Sequence, residues 1–280
     1  MQYTEYADAA GFLAKTRTIL ERDECANNLM LGNCLRLLSE SPVFEQPPLF
    51  ATIDRDGDLA LAAVMTPPYP LQIYVENGDV SGVDFLVTEL ARSGRHIASV
   101  IGRESVGRAF AELWSRETGA AARTRVRQLL YELRSVVQPI YPPGYFRVAE
   151  SGDIELAREW ARCFHKDCFH DGESERAVRN AEEKLRHGGL FFWVNGTCVS
   201  MAARTRPTPR GEAVCMVYTP PQERGRGYAS AVVASLSQRI LNEGKTFCTL
   251  YTDLDNPTSN SIYRRIGHQP VADSVHIEFE

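Results

Sequence analysis

Two stretches of the chain carry the same order of apolar and polar runs. In the first, Leu49–Ile53 is extended and apolar. Asp56-Gly57-Asp58 makes a turn, Leu59–Val64 is apolar again, and a third extended run follows at Leu71–Val75. In the second, Leu190–Val194, the turn Asn195-Gly196-Thr197, the run Cys198–Ala203 and the run Ala213–Tyr218 repeat that order. Asp-Gly and Asn-Gly predict tight hairpins, because both central residues tolerate positive φ. Each stretch continues with helical spacing (Val83–Arg92, Ala229–Asn242) and a short strand (His96–Ile101, Thr246–Leu250). A second helix (Val106–Arg116, Asn260–Ile266) and a last strand (Gln128–Val136, Val271–Phe279) complete it. Helical pattern precedes each hairpin, over Asp8–Ser39 and Asp153–His187. In the latter, Ile154, Ala157 and Ala161, with Trp160 beside them, recur at the spacing of a core-facing side. The reading is a degenerate internal duplication, with two unrelated α+β domains as the alternative.

Between the stretches lies Gln138-Pro-Ile-Tyr-Pro-Pro-Gly-Tyr145. Its prolines can continue neither a helix nor a central strand, which divides the chain into domains over 1–138 and 139–280. A length of 280 residues, 44% hydrophobic and 24% charged, suits two ordinary globular domains. With 31 Lys and Arg against 36 Asp and Glu, the net charge is −5. That argues against nucleic acid or an anionic membrane as partner. No apolar run reaches the ~18 residues of a membrane span, and Met1–Asp8 lacks the form of a secretory signal. The seven Cys are odd in number and form no CxxC pair. They fit free thiols in a reducing cytoplasm, the expected location. Cys163-Phe-His165-Lys-Asp-Cys168-Phe-His170 gathers thiols and imidazoles, but its spacing fits no common zinc pattern, so no metal is expected. The arginines within Arg123–Arg134 read as a solvated face, and Phe191-Phe192-Trp193 as core strand.

The densest chemical signal is Val217-Tyr-Thr-Pro-Pro-Gln-Glu-Arg-Gly-Arg-Gly-Tyr-Ala229. An extended run ends at two prolines, a Gln222-x-x-Gly225-x-Gly227 loop follows, and a helix begins, with Val232, Leu236 and Ile240 marking its apolar face. A helix start has unpaired N–H groups and a partial positive charge. Glycines let an anion approach the backbone, and Arg224 and Arg226 add forked donors suited to phosphate. The spacing is neither that of a Walker loop nor that of a dinucleotide fingerprint. Alone, the loop is either a pyrophosphate cradle or a turn that merely begins a helix.

Downstream lies Asn256-Pro-Thr-Ser-Asn260-Ser-Ile-Tyr263, closed by Gly267. Ser259 or Asn260 is placed to cap a short helix, and Asn260 and Tyr263 share one of its faces. In this order and at this separation, the two segments resemble the GNAT superfamily of acyl-coenzyme A N-acyltransferases. The resemblance covers about Tyr145–Phe279. The first half resembles the fold only: in place of the loop it has Glu76-Asn-Gly-Asp-Val-Ser-Gly82, with Asp79 where an anion would sit. The whole resembles tandem GNAT-like proteins, with an N-terminal domain lacking the cofactor motif. The implied fold class is α+β (α/β mixed), two domains each with a mixed, mostly antiparallel sheet flanked by helices.

The resemblance implies the site residues. Backbone N–H groups near Val217 and Tyr218 would face the thioester carbonyl, with Thr219 near the pantetheine arm. Gln222, Arg224, Gly225, Arg226, Gly227, Tyr228 and Ala229 would make up the pyrophosphate loop, the last five through main chain. Asn256 and Asn260 would bond pantetheine amides or nearby backbone. Tyr263 would protonate the departing thiolate, or else is a core aromatic. The cosubstrate would be acetyl-CoA and the acceptor a small-molecule or peptide primary amine, attacked directly in a ternary complex. A non-catalytic acyl-CoA sensor and a nucleotide-phosphate binder remain alternatives, and a homodimer stays open. For a general base, Glu212, Asp253, Asp255, His165, Asp167 and His170 are candidates, none singled out by spacing. Acceptor specificity is expected within Cys163–Arg186 and in the hairpin loop Arg204–Arg210, with the first half of the chain as a further candidate wall.

Overall fold

The computed structural model describes residues 1–40, 42, 44, 46–169 and 174–280. They form two compact units. One holds Met1–Leu130, Thr252–Asp255 and Val271–Glu280; the other holds Tyr131–Tyr251 and Asn256–Pro270.

The first unit begins with β1 (Gln2–Glu5), α1 (Ala9–Leu20) and α2 (Asn28–Ser39). The hairpin β2 (Leu49–Arg55) and β3 (Asp58–Met65) follows, then β4 (Leu71–Val75), α3 (Val83–Arg92), β5 (Ser99–Gly102), α4 (Glu104–Thr118) and the start of β6 (Ala122–Leu133). At the hairpin both Asp56 and Gly57 take positive φ (54° and 94°), as the dipeptide predicts. Neighbouring strands from β1 to β4 are antiparallel, and β4 and β5 are parallel at Leu71↔Val100. Asp8 caps α1 by accepting from Gly11 N–H at 2.8 Å. One face of the strands packs Leu61, Ala63 and Ile73 against Leu86, Leu90, Phe110 and Trp114. The other packs Phe50, Ala62 and Val64 against Phe12, Leu13 and Leu31.

The second unit runs β7 (Tyr145–Val148), α5 (Ile154–Phe169), α6 (Ser174–Arg186), β8 (Leu190–Asn195), β9 (Thr197–Thr205), β10 (Gly211–Tyr218), α7 (Tyr228–Asn242), β11 (Phe247–Asp253) and α8 (Pro257–Arg265). Strands β7 to β10 are antiparallel neighbours, and β10 and β11 are parallel. The connections therefore repeat those of the first unit. Ala157, Trp160 and Ala161 of α5 and Val178 of α6 bury one face against Phe192, Met201 and Tyr218. Val232, Leu236 and Ile240 of α7 are fully buried. At the second hairpin only Gly196 has positive φ (74°). A register shift between Trp193 and Val194 brings Asn195 opposite Thr197, so Asn195 stays extended.

The compact units do not follow the linear division at Gln138. The last strand, β12 (Gln269–Phe279), pairs Val275–Glu278 with Ser99–Gly102 of β5, and Val275 and Ile277 join the first unit's core. Tyr131 on β6 belongs to the second unit. Strands β1 and β7 have no counterpart in the apolar pattern, since each is a four-residue strand with little buried surface.

Candidate functional site

The second unit opens its sheet beside α7. Strand β10 pairs with β11 only over Gly211–Ala213 with Phe247–Thr249. Beyond that it follows β9 alone, and the register jumps between Cys215 and Tyr218. Met216, at φ 51°, forms the bulge. Met216 and Val217 thus lie outside both ladders, which leaves main-chain donors available at the gap. A regular extended run over Ala213–Tyr218 misses this bulge, and nothing in Ala-Val-Cys-Met-Val-Tyr marks it. Burial, and after it the bonded Cys163 thiol, push the Tyr218 phenol up to about 12. It stays neutral, as a wall of the gap.

The loop continues from the strand end. The hydroxyls of Thr219 and Ser200 share a hydrogen bond of 2.9 Å. Gln222 is exposed on a short turn, Pro221–Glu223. Gly225 and Gly227 have φ of 76° and 83°, a conformation that costs other residues about 1–2 kcal/mol. Gly227 is the N-cap of α7, and no side chain caps that helix, as is also the case at α2, α3 and α4. The N–H groups of the first turn, Tyr228 and Ala229 among them, are left for a ligand. Both arginine forks are engaged by the protein itself. Arg224 donates to Thr219 O at 3.0 Å and to Asp167 at 2.6 Å, and Arg226 donates to Glu223 at 2.9 Å. Anion binding here rests on main chain first. The buried Tyr228 anchors the helix start, its hydroxyl accepting from Asn195 at 2.8 Å.

The second motif forms α8. Asn256 accepts from Ser259 N–H at 3.0 Å, and Pro257 occupies the first turn. Asn260 donates to Asn256 O at 2.8 Å and accepts from the Tyr131 hydroxyl at 3.0 Å. The cap of the helix is therefore Asn256, in place of the expected Ser259 or Asn260, which lie inside it. Tyr263 is buried, its ring 6.4 Å from the Tyr131 ring. Burial pushes its phenol well above the ordinary range. Tyr131 was not signalled by any motif, since it sits among the arginines of β6.

Next to Tyr263 lies His268, fully buried, its ring 5.8 Å from the Tyr263 ring. Neither ring nitrogen makes a hydrogen bond of normal geometry among the described residues. Desolvation lowers its pKa to about 4, offset only in part by the Tyr263 carbonyl. A folded-state value below the unfolded ~6.5 means that the unfolded chain binds the extra proton. Stability from the neutral ring is therefore present above about pH 6.5 and is lost as pH falls toward 4, by up to about 1.4 kcal/mol per pH unit. His268→Phe is expected to flatten that slope in thermal unfolding followed from pH 7 to 4. An unchanged slope would refute the assignment.

Of the candidate bases, Glu212 is buried and gripped by Arg204 through both carboxylate oxygens, one contact at 2.7 Å. Asp167 is held by Arg224, and Asp253 accepts from Asp255 N–H at 2.9 Å. His165 is buried, and His170 lies outside the described residues. The Arg204–Arg210 loop lies at the other end of β10 from the glycine loop. That loop precedes Gly211 and the glycine loop follows Tyr218, so β10 separates them by roughly 25 Å at ~3.3 Å per residue. In the first unit the corresponding loop is closed by its own carboxylate. Asp79 accepts from Ser81 N–H at 2.9 Å and from Arg55 at 2.8 Å. Hydrogen bonds from Ser81, and then Arg55, hold it down to about 2. Among the described residues no group of three or more His, Cys, Asp or Glu is placed to hold a metal, and no helix is long and apolar enough to cross a membrane.

Comparison with known proteins bears on this geometry. A family model described as FR47-like protein matches residues 194–277, the segment holding both motifs. No curated protein matches the sequence significantly. A GCN5-related N-acetyltransferase from Sphaerobacter thermophilus superposes with a TM-score of 0.62 at 17% identity, over 99% of this chain and 95% of that one. An acetyltransferase of the GNAT family from Colwellia psychrerythraea gives 0.58 at 12% identity, over 100% of both chains. A tandem GNAT protein from the clavulanic acid biosynthesis pathway gives 0.53 at 13% identity, over 100% of this chain and 98% of that one. The chain has a tandem GNAT fold. The second unit carries the splayed strands, the uncapped helix and the buried tyrosine, and the first repeats the strand order with Asp79 bonded to Ser81 and Arg55 in the corresponding loop.

Proposed function

We propose that the chain is an N-acetyltransferase that moves an acetyl group from acetyl-CoA to a primary amine by direct attack. The observation that carries the reading is the uncapped N-terminus of α7, behind two left-handed glycines and at the mouth of the β10–β11 gap. These residues fit a diphosphate ester: the donors are main-chain N–H groups, and the space where a Gly225 side chain would stand is open to 4 Å. Gly225, Arg226, Gly227, Tyr228 and Ala229 would hold the diphosphate, with Gln222 and Arg224 flanking it. Acetyl-coenzyme A, when bound, would supply the acetyl group as a thioester.

The remaining work falls to this chain's own groups. Main-chain N–H groups near Val217 and Tyr218, where Val217 lies outside both ladders, would face the thioester carbonyl oxygen. Thr219, Asn256 and Asn260 border the pantetheine path. The Tyr263 hydroxyl is protonated at neutral pH and would deliver its proton to the leaving thiolate; an ordinary thiol is already more acidic than an ordinary phenol by about 1.5 pH units, and the burial of Tyr263 widens that gap. No cysteine is needed as nucleophile.

The test is a coenzyme A titration followed by turnover. One site per chain is expected, since Asp79 closes the first unit's loop. Saturation at 100 Kd should stabilise the fold by about 2.7 kcal/mol, while ATP and NAD add nothing. Acetyl-CoA with a panel of amines should then release free thiol. Two equivalent sites, or stabilisation by ATP or NAD in place of coenzyme A, would sink the reading.

A further inference from the structure

Helix α8 has nine residues, and Tyr263 is its one buried residue. A helix this short is marginal by itself. Its rotation about its own axis, and so the direction of the Tyr263 hydroxyl, must be set by contacts outside it. The fully buried Tyr131 makes those contacts. Its hydroxyl accepts from Arg264 Nε at 3.2 Å and donates to Asn260 Oδ1 at 3.0 Å. The two partners bracket Tyr263 along the helix. The direction of each bond follows from the donor inventory: arginine can only donate, so the tyrosine proton goes to the amide oxygen. That leaves the Asn260 Nδ2 to donate to Asn256 O, at 2.8 Å. Tyr131 is itself fixed, because buried Thr249 of β11 donates to its carbonyl at 2.9 Å. The Tyr131 and Tyr263 rings lie 6.4 Å apart.

We propose that Tyr131 is a positioning residue: by holding Asn260 and Arg264 it aims the Tyr263 hydroxyl into the β10–β11 gap. The proposal rests on the reading of Tyr263 as the proton donor. It brings into the site a residue from the far side of the proline-rich linker, seven positions before Gln138.

Tyr131→Phe removes the hydroxyl and keeps the ring. Thiol release is measured with the best amine of the panel, or from acetyl-CoA in water where no amine is taken. The variant is expected to lower kcat about tenfold, because an ångström of misplacement can cost up to about 10²-fold. The Kd for coenzyme A should stay within about twofold. A fold-wide defect would move both. The double variant Tyr131→Phe/Tyr263→Phe should be no slower than Tyr263→Phe alone, since Tyr131 acts through Tyr263. Unchanged kcat in Tyr131→Phe, a parallel rise in Kd, or losses that multiply in the double variant would overturn the positioning role. Full activity in Tyr263→Phe would instead overturn the reading beneath it. A wild-type chain that releases no thiol under either condition overturns both.

Discussion

Gly225→Asp abolishes coenzyme A binding while the chain stays folded. The φ of 76° at Gly225 belongs to the left-handed region, and a side chain there costs about 1–2 kcal/mol of backbone strain. The space around the new Cβ is open, so no packing is disturbed. The loss comes from charge. A carboxylate about 4 Å from a diphosphate, near a protein surface, adds about 4 kcal/mol of repulsion per charge pair. At 1.4 kcal/mol per tenfold, that is close to three orders of magnitude in Kd. Gly225→Ala separates the two effects, because it carries the strain without the charge and should weaken binding far less. Calorimetric titration reads both variants. Affinity within tenfold of wild type in Gly225→Asp would mean that the ligand does not sit at the start of α7.

Tyr263→Phe is expected to lower kcat by about 10²-fold or more, the usual worth of a positioned general acid, with the coenzyme A Kd unchanged. The substitution keeps the buried ring beside those of Tyr131 and His268, so the fold should tolerate loss of the hydroxyl. The pH profile gives a second readout. Burial raises the Tyr263 pKa, so its acid form persists past the ordinary phenol range near 10. The wild-type rate should therefore show no alkaline fall from this group below that pH. Turnover kept within threefold in Tyr263→Phe would leave Tyr263 a core aromatic. Tight coenzyme A binding with no turnover of any amine would favour a sensor.

Much of the architecture was legible because it is local. The two hairpins, α3 and the apolar side of α7 follow from alternation, turn dipeptides and helical spacing, which act over a few residues. The glycine loop was legible for the same reason, since Gly225 and Gly227 state their own backbone requirement. The engagement of Arg224 by Asp167 was not, because the partner lies on α5, far away in sequence. Nor was the bulge at Met216, which arises from how β10 is shared between β9 and β11.

From the order of its residues alone, this protein is a duplicated α/β chain whose second half starts a helix behind an anion-ready loop and places Tyr263 on a short helix. Those features depend on neighbours a few positions apart. Only the tertiary structure assigns Val271–Glu280 to the first unit and Tyr131 to the second, opens the strands at Met216, closes the first loop with Asp79, and buries His268 beside Tyr263. Each of these depends on strand pairing or packing between residues remote in sequence, where the gain comes from desolvation and register rather than from any local preference.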